Sequence, residues 1–274
     1  MDAARPDAVH AEDVAANRDA ADEANDAAVR DTGTVTVPNW LLTVQTSGTS
    51  HDVHQLLRVS VDPATYGAIS TVCANIQMPS ANVQQNIVSA LAFVEGRLVA
   101  TIAQVEQADS LIEIDPCRCT SRFISAIGFT NVRSITAIGP LLFGLSASAN
   151  SLIVTEGGRG RRIATLPPTL AAATLTWSGP GRNTLYAINP SDDTLTELSP
   201  GSGATVAAPI GLDFNFTTVT AQYHQGRQRV FGCSFSGGLY EIDVAAAHVT
   251  VQSGTNPNCN TLAAPNGPVA CIAD

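Results

Sequence analysis

Ser110-Leu-Ile-Glu-Ile-Asp115-Pro116, Thr194-Leu-Thr-Glu-Leu-Ser199-Pro200 and Gly238-Leu-Tyr-Glu-Ile-Asp243 are three copies of one phrase, a short apolar and polar alternation that runs into a turn. Weaker copies stand at Leu56-Leu-Arg-Val-Ser-Val-Asp62-Pro63 and Ser151-Leu-Ile-Val-Thr-Glu156. Alternation of period two marks a half-buried strand. An Asp closing such a strand caps its own backbone and opens a turn. A position that recurs in every unit serves the unit's fold, so the repeat has to be recognised before any residue is given a chemical role.

Working outward from the phrase, each unit holds four short strands. In the second, Ile87 to Phe93 and Arg97 to Ile102 flank Val94-Glu95-Gly96, and Leu111 to Ile114 and Arg122 to Ser125 follow. Later units repeat the pattern, with fourth strands expected at Arg162-Ile-Ala-Thr165, Thr205-Val-Ala207 and Val249-Thr-Val251. First strands are predicted near residues 34, 87, 133, 173, 217 and 260, at spacings of 53, 46, 40, 44 and 43. Four strands per about 40 to 45 residues is the period of a propeller blade. The chain therefore reads as all-β, a β-propeller over residues 33–274 with five four-stranded blades. Six blades, the last built from both ends, is the alternative; a sandwich would not repeat one phrase at one spacing. Thr261-Leu-Ala-Ala264 and Pro268-Val-Ala-Cys-Ile272 supply two further strands, expected to complete a blade begun at the other terminus, because ring closure removes exposed sheet edges.

The run Leu185-Tyr-Ala-Ile-Asn-Pro190 resembles the blade repeat of secreted bacterial propellers grouped with YVTN and NHL-type repeats. That resemblance covers the rhythm of residues 34–274 and implies binding proteins, scaffolds and some enzymes. Residues 1–32 are similar in composition to the Asp/Ala-rich spacer that follows the lipidated cysteine of bacterial lipoproteins.

Charge is unevenly placed. Residues 1–32 carry nine Asp or Glu against three Arg, which leaves only −4 of the net −10 on the other 242 residues. With few apolar side chains they read as a disordered, charge-extended tether. Lys is absent and no broad basic surface is encoded, which excludes duplex nucleic acid as a partner. No apolar run approaches the ~18 residues of a membrane span. Met1 is not followed by an export segment, so the chain either begins downstream of a removed leader or stays in the cytoplasm. Six cysteines, Cys73, Cys117, Cys119, Cys233, Cys259 and Cys271, favour a periplasmic, secreted or outer-surface location, with a lipid anchor on the spacer. Sequence leaves 15 pairings open; a Cys259–Cys271 bond would tie down the C-terminus. Zinc at Cys117-Arg-Cys119 is the rival reading, without the paired C-x₂₋₄-C spacing of zinc sites.

Residues that do not recur are the candidates for function. Loops joining second to third strands, and fourth strands to the next blade, share one face, which would receive His51, Asp52, Glu106, Asp109, Asp192, Asp193 and Asp213. Hard oxygen ligands converging there would hold calcium or draw a cationic partner; the competing reading is solvated loop residues. The opposite face would receive Gly157-Gly-Arg-Gly-Arg-Arg162, where Arg159, Arg161 and Arg162 would grip a phosphate or acidic glycan. Trp177, Tyr186, Tyr223, Phe214 and Phe216 would either stack on sugars or pack between blades. No G-x-S-x-G elbow, phosphate-cradling loop or H-E-x-x-H motif is encoded. The sequence therefore points to a monomeric, non-catalytic propeller that recognises a protein or glycan through one face. A propeller hydrolase or lyase using carboxylates with His51 or His224, and a cytoplasmic interaction module, are the alternatives.

Overall fold

A computed structural model of the chain describes residues 38–47, 53–79, 87–104, 107–224 and 227–272. All belong to one compact unit, Thr36–Asp274; the tether expected over residues 1–32 lies outside the described residues.

The sheets follow the phrase. Blade two is β4 (Ile87–Val94), β5 (Arg97–Ala103), β6 (Ser110–Asp115) and β7 (Thr120–Ala126), paired in that order. Blade three is β8 (Val132–Ile138), β9 (Leu141–Ser146), β10 (Ser151–Glu156) and β11 (Arg159–Thr165). The turn α1 (Pro168–Ala171) leads into blade four, β12 (Thr174–Trp177), β13 (Leu185–Asn189), β14 (Thr194–Leu198) and β15 (Ile210–Gly211). Blade five is β16 (Phe216–His224), β17 (Arg227–Ser234), β18 (Leu239–Asp243) and β19 (His248–Gln252). Blade one has three strands from the N-terminal side, β1 (Trp40–Ser47), β2 (Val53–Ser60) and β3 (Ile69–Cys73).

Blade one is completed by the other end of the chain. Leu42 and Ala263 exchange backbone hydrogen bonds of 2.9 Å each, which sets Thr261–Ala264 beside β1 as the innermost strand. Only part of the expected closure is realised, since Pro268–Ile272 forms turns instead of a strand. The first strand expected near residue 34 lies outside the described residues; in blade one β1 takes the second place, and the C-terminal segment the first. The ring thus has five blades, which excludes the six-blade alternative.

Five hydrophobic clusters occupy the five seams. Leu98, Ala100, Ile112 and Ile114 face blade one, while Val99 and Leu111 of the same strands face Ile135 and Leu142 of blade three. Further clusters join blades three and four, four and five, and five and one; the last sets Leu41 and Val59 against Phe231 and Leu239. Both faces of a blade are therefore buried, and its middle strands are nearly continuously apolar. Each fully buried Leu or Ile contributes about 1.5–3 kcal/mol.

A register shift recurs between third and fourth strands, at Leu56/Leu57, Leu111/Ile112, Leu152/Ile153 and Glu241/Ile242. A bulge strengthens the right-handed twist, turning the outer strand away from the inner one. Blade four departs from expectation: Thr205 forms only an isolated bridge to Leu198, and the fourth strand is the two-residue β15. Pro209, lacking an N–H, precedes the short pairing.

The turn role of the recurring Asp holds in the structure. Asp62 accepts from the Ala64 N–H, Asp115 from Cys117 and Arg118, and Asp243 from Ala245 and Ala246, which holds the Asp243 carboxyl below its ordinary range. The Glu of the phrase also has a fold-level task, pairing with an Arg of its own blade: Glu113 with Arg122 at 2.6 Å, Glu197 with Arg182 at 2.8 Å, and Glu241 in a fork with Arg229 at 2.9 and 2.8 Å.

The cysteines form three disulfides, Cys73–Cys119, Cys117–Cys271 and Cys233–Cys259. A Cys259–Cys271 bond is thereby ruled out, and Cys117-Arg-Cys119 is spent on two disulfides rather than zinc. No helix of the described residues is long and apolar enough to cross a membrane.

Where the other blades turn from first to second strand by a hairpin, blade one has two chain ends. Gln222 closes that gap. Its buried Nε2 donates to the carbonyls of Pro38 at 2.7 Å and Pro265 at 3.1 Å, joining both ends to β16. Gln222→Leu would strand two carbonyls without their donor, at about 1–3 kcal/mol each. Urea denaturation should therefore show a loss of about 2–6 kcal/mol with an unchanged m-value.

Candidate ligand-binding face

Inner strands of neighbouring blades are fastened by hydroxyls. Ser134 Oγ accepts from the Leu175 N–H at 2.6 Å and Thr174 Oγ1 from Val219 at 2.9 Å. A second tier sets Thr136 Oγ1 against the Trp177 N–H at 3.2 Å and Thr220 Oγ1 against Ala264 at 3.1 Å. An inner strand has a free backbone edge toward the axis, and these short side chains satisfy it without filling the space. Among these inner strands lies a cavity of about 30 Å³, room for little more than a single water.

The axis widens at one end. On the face of the first-to-second strand turns lies a bowl of about 320 Å³, lined by Phe93, Glu95, Ala137, Trp177, Asn266 and Pro268 among others. The chain reaches this rim through tight turns. Glu95 at φ 49° and Gly96 at φ 77° form the two-residue link from β4 to β5, the mirror-image turn that matches strand twist. Such a turn ordinarily takes Asn, Asp or Gly at its first position. Holding Glu95 in the left-handed region costs about 1 kcal/mol.

Trp177 is one of two aromatic members of its tier. Pairing with the second strands sets Phe93 opposite Leu98, Ala137 opposite Leu142, Trp177 opposite Leu185 and Ala221 opposite Val230, so the equivalent positions hold Phe93, Ala137, Trp177, Ala221 and, in blade one, Ala264, and all five residues line the axis. The tryptophan is half-buried and held from three sides. Its N–H is taken by Thr136, its carbonyl accepts from Gln228 Nε2 at 2.8 Å, and its indole Nε1 donates to Asn183 Oδ1 at 3.3 Å. Nearby, Asn266 Oδ1 accepts from the Tyr223 N–H at 3.1 Å, which orients its amide. The result is a fixed aromatic surface with one carboxylate and one amide at its margin.

The residues singled out by sequence are distributed differently. His51, Asp52 and Glu106 lie outside the described residues, as does the side chain of His224. Asp109 is buried at 1 % exposure and its Oδ2 accepts from the Val132 N–H at 2.6 Å, joining blade two to blade three. Burial pushes its carboxyl above the ordinary value, while backbone donors pull the other way. A folded-state value raised in this way makes the Asp109 contribution to stability grow as pH falls through that range. Asp192 caps its own turn through Thr194 at 2.6 Å, Asp193 sits at φ 53° with its carbonyl bound by Leu212, and Asp213 accepts from the Val249 N–H at 3.2 Å. Asp109 thus stands at blade two, Asp192 and Asp193 at blade four, and Asp213 between blades four and five. Among the described residues no three His, Cys, Asp or Glu side chains form a group able to hold a metal.

Arg159, Arg161 and Arg162 are exposed along β11, the outer strand of blade three. Of the aromatics, Tyr186 and Phe216 are buried between blades four and five, and Phe214 rests on Tyr240 with ring centroids 4.6 Å apart. Trp177 and Tyr223 instead line the axis.

No protein-family model and no curated protein matches the sequence. Solved structures match in fold. A chain from a nidogen/laminin complex aligns at a TM-score of 0.51 and 12% identity, covering 84% of this chain and 99% of that one. Glutaminyl cyclase of Myxococcus xanthus aligns at 0.44 and 13%, covering 65% and 71%. YCF48 bound to a D1 peptide aligns at 0.40 and 10%, covering 79% and 72%.

Proposed function

We propose that this chain is a non-catalytic binding or scaffold propeller that recognises a protein partner through the face bearing the bowl. The observation that carries the reading is Trp177, a tryptophan where three of the other blades place alanine and blade two places Phe93, with its backbone and indole hydrogen-bonded and its ring half-buried at a cavity of about 320 Å³ that Phe93 also lines. Rigid aromatic side chains in desolvated pockets are the usual anchors of binding interfaces. A matching propeller chain in a nidogen/laminin complex supports a protein partner over a glycan. Three disulfides support an exported or surface-tethered protein, since such bonds persist outside the reducing cytosol. The blade phrase and the Asp/Ala-rich N-terminal segment support the same assignment, with YVTN or NHL-like repeats and a lipoprotein-type spacer.

Peptide and oligosaccharide libraries screened against the purified protein, with hydrogen exchange on each hit, test this reading. Protection is expected at residues 93–96, 137–140, 177–183 and 265–269. Protection confined to the turns around Asp192, Asp193 and Asp213 would assign binding to the other face.

A further inference from the structure

We infer that the bowl takes the alkylammonium side chain of a lysine presented by the partner polypeptide. This rests on the binding face proposed above and names what that face recognises. Among the described residues Glu95 is the one charged member of the bowl's lining, and none of them there is basic. Trp177 and Phe93 supply two aromatic rings, whose faces attract cations and repel anions. Pro265, Pro268 and Val269 add an apolar wall of the kind a four-carbon stem packs along while its charged head meets the rim. Asn266 spends its Oδ1 on Tyr223.

Glu95 has the properties of a ligand-directed residue. It occupies a left-handed turn position that Asn or Gly would fill with less strain. Its contact to Arg97 is long, 3.6 Å, and Arg97 is shared with Glu113 at the same distance. Glu113 is held more tightly by Arg122, at 2.6 Å. The Glu95 carboxylate is therefore only loosely engaged at the edge of the bowl. A carboxylate beside two aromatic rings complements a cation and would oppose the phosphate or acidic glycan considered for the arginines of β11.

The chain offers its own reporter. It has two tryptophans, Trp40 fully buried and Trp177 at the bowl, so a ligand-dependent change in indole fluorescence reports Trp177. The probes are acetyl-Gly-Lys-Gly-amide and its norleucine counterpart, which keeps the four-carbon stem and lacks the ammonium. The lysine peptide should saturate the signal at least about tenfold more tightly than the norleucine peptide, and 0.5 M salt should weaken it several-fold. Trp177→Leu should abolish lysine-peptide binding followed by titration calorimetry, in a protein with unchanged circular dichroism. Glu95→Asn should weaken lysine binding about fivefold while raising Tm by about 2–4 °C, a combination that a purely structural glutamate would not give. Equal affinity for both peptides would overturn the inference and leave an apolar anchor pocket. Saturation by neutral oligosaccharides with no response to lysine would overturn it in favour of a glycan. No response to any probe would also overturn it, while library hits protecting residues 93–96 would still uphold the binding face itself.

Discussion

A chain ending at Asn260 is expected to show no cooperative thermal transition and to elute as aggregate. The 14 residues removed include the innermost strand of blade one, and with it the hydrogen bonds of Ala263 to Leu42, of Thr261 to Val44 and of Ala264 to Thr220. Leu262 and Ile272, at 2 % and 9 % exposure, leave two of the five seams. Each such side chain contributes about 1.5–3 kcal/mol and each hydrogen bond about 1 kcal/mol. The Cys117–Cys271 bond is lost as well. Together these losses are of the order of the whole stability of a typical domain, about 5–15 kcal/mol. They also expose the β1 edge, an invitation to association. Circular dichroism with size exclusion checks the outcome; a monomer melting within a few degrees of the full chain would show that the C-terminal strand is dispensable.

The second large effect belongs to that disulfide. Cys117 and Cys271 are 154 residues apart, and constraining so long a loop in the unfolded chain is worth about 5 kcal/mol on the chain-entropy account. Replacing both cysteines with Ala should lower Tm by about 10–20 °C for a domain of this size. Both residues are exposed, whereas Cys233 and Cys259 are buried. Thiolate attack requires access to sulfur, so mild reductant should open Cys117–Cys271 first. A scanning calorimetry trace should then match the double variant before any further loss. Simultaneous opening of both bonds would contradict this order.

Blade rhythm was legible because a repeated unit buries the same positions each time, and Asp62, Asp115 and Asp243 could be assigned to turns on recurrence alone. Closure was half legible. Thr261-Leu-Ala-Ala264 reads as a strand, but β1 carries nothing in Trp40-Leu-Leu-Thr-Val44 that marks it as second in its blade rather than first. Pro268–Ile272 has strand-like residues, yet it contains Cys271, which is drawn to blade two. Cysteine partners follow from the ring, which brings residue 271 to residue 117, and spacing holds no trace of that.

The site was legible only in retrospect. Trp177 reads as one more packing aromatic until the inner strands are aligned and it falls in one tier with Phe93 and three alanines at the end of the axis. The carboxylates stand out because they do not recur, but those of Asp109, Asp192 and Asp213 serve backbone N–H groups peculiar to single loops. In the sequence Glu95 is one residue of a tight turn, since strain appears only as a backbone angle.

Peptide mapping without reduction tests ring closure most directly. Trypsin cuts only at Arg here, and Arg118 separates Cys117 from Cys119. The account predicts that the peptide spanning residues 98–118 remains joined to the C-terminal peptide 230–274, and that 59–97 remains joined to 119–122. A C-terminal peptide recovered with Cys259 bonded to Cys271 and free of residues 98–118 would contradict it.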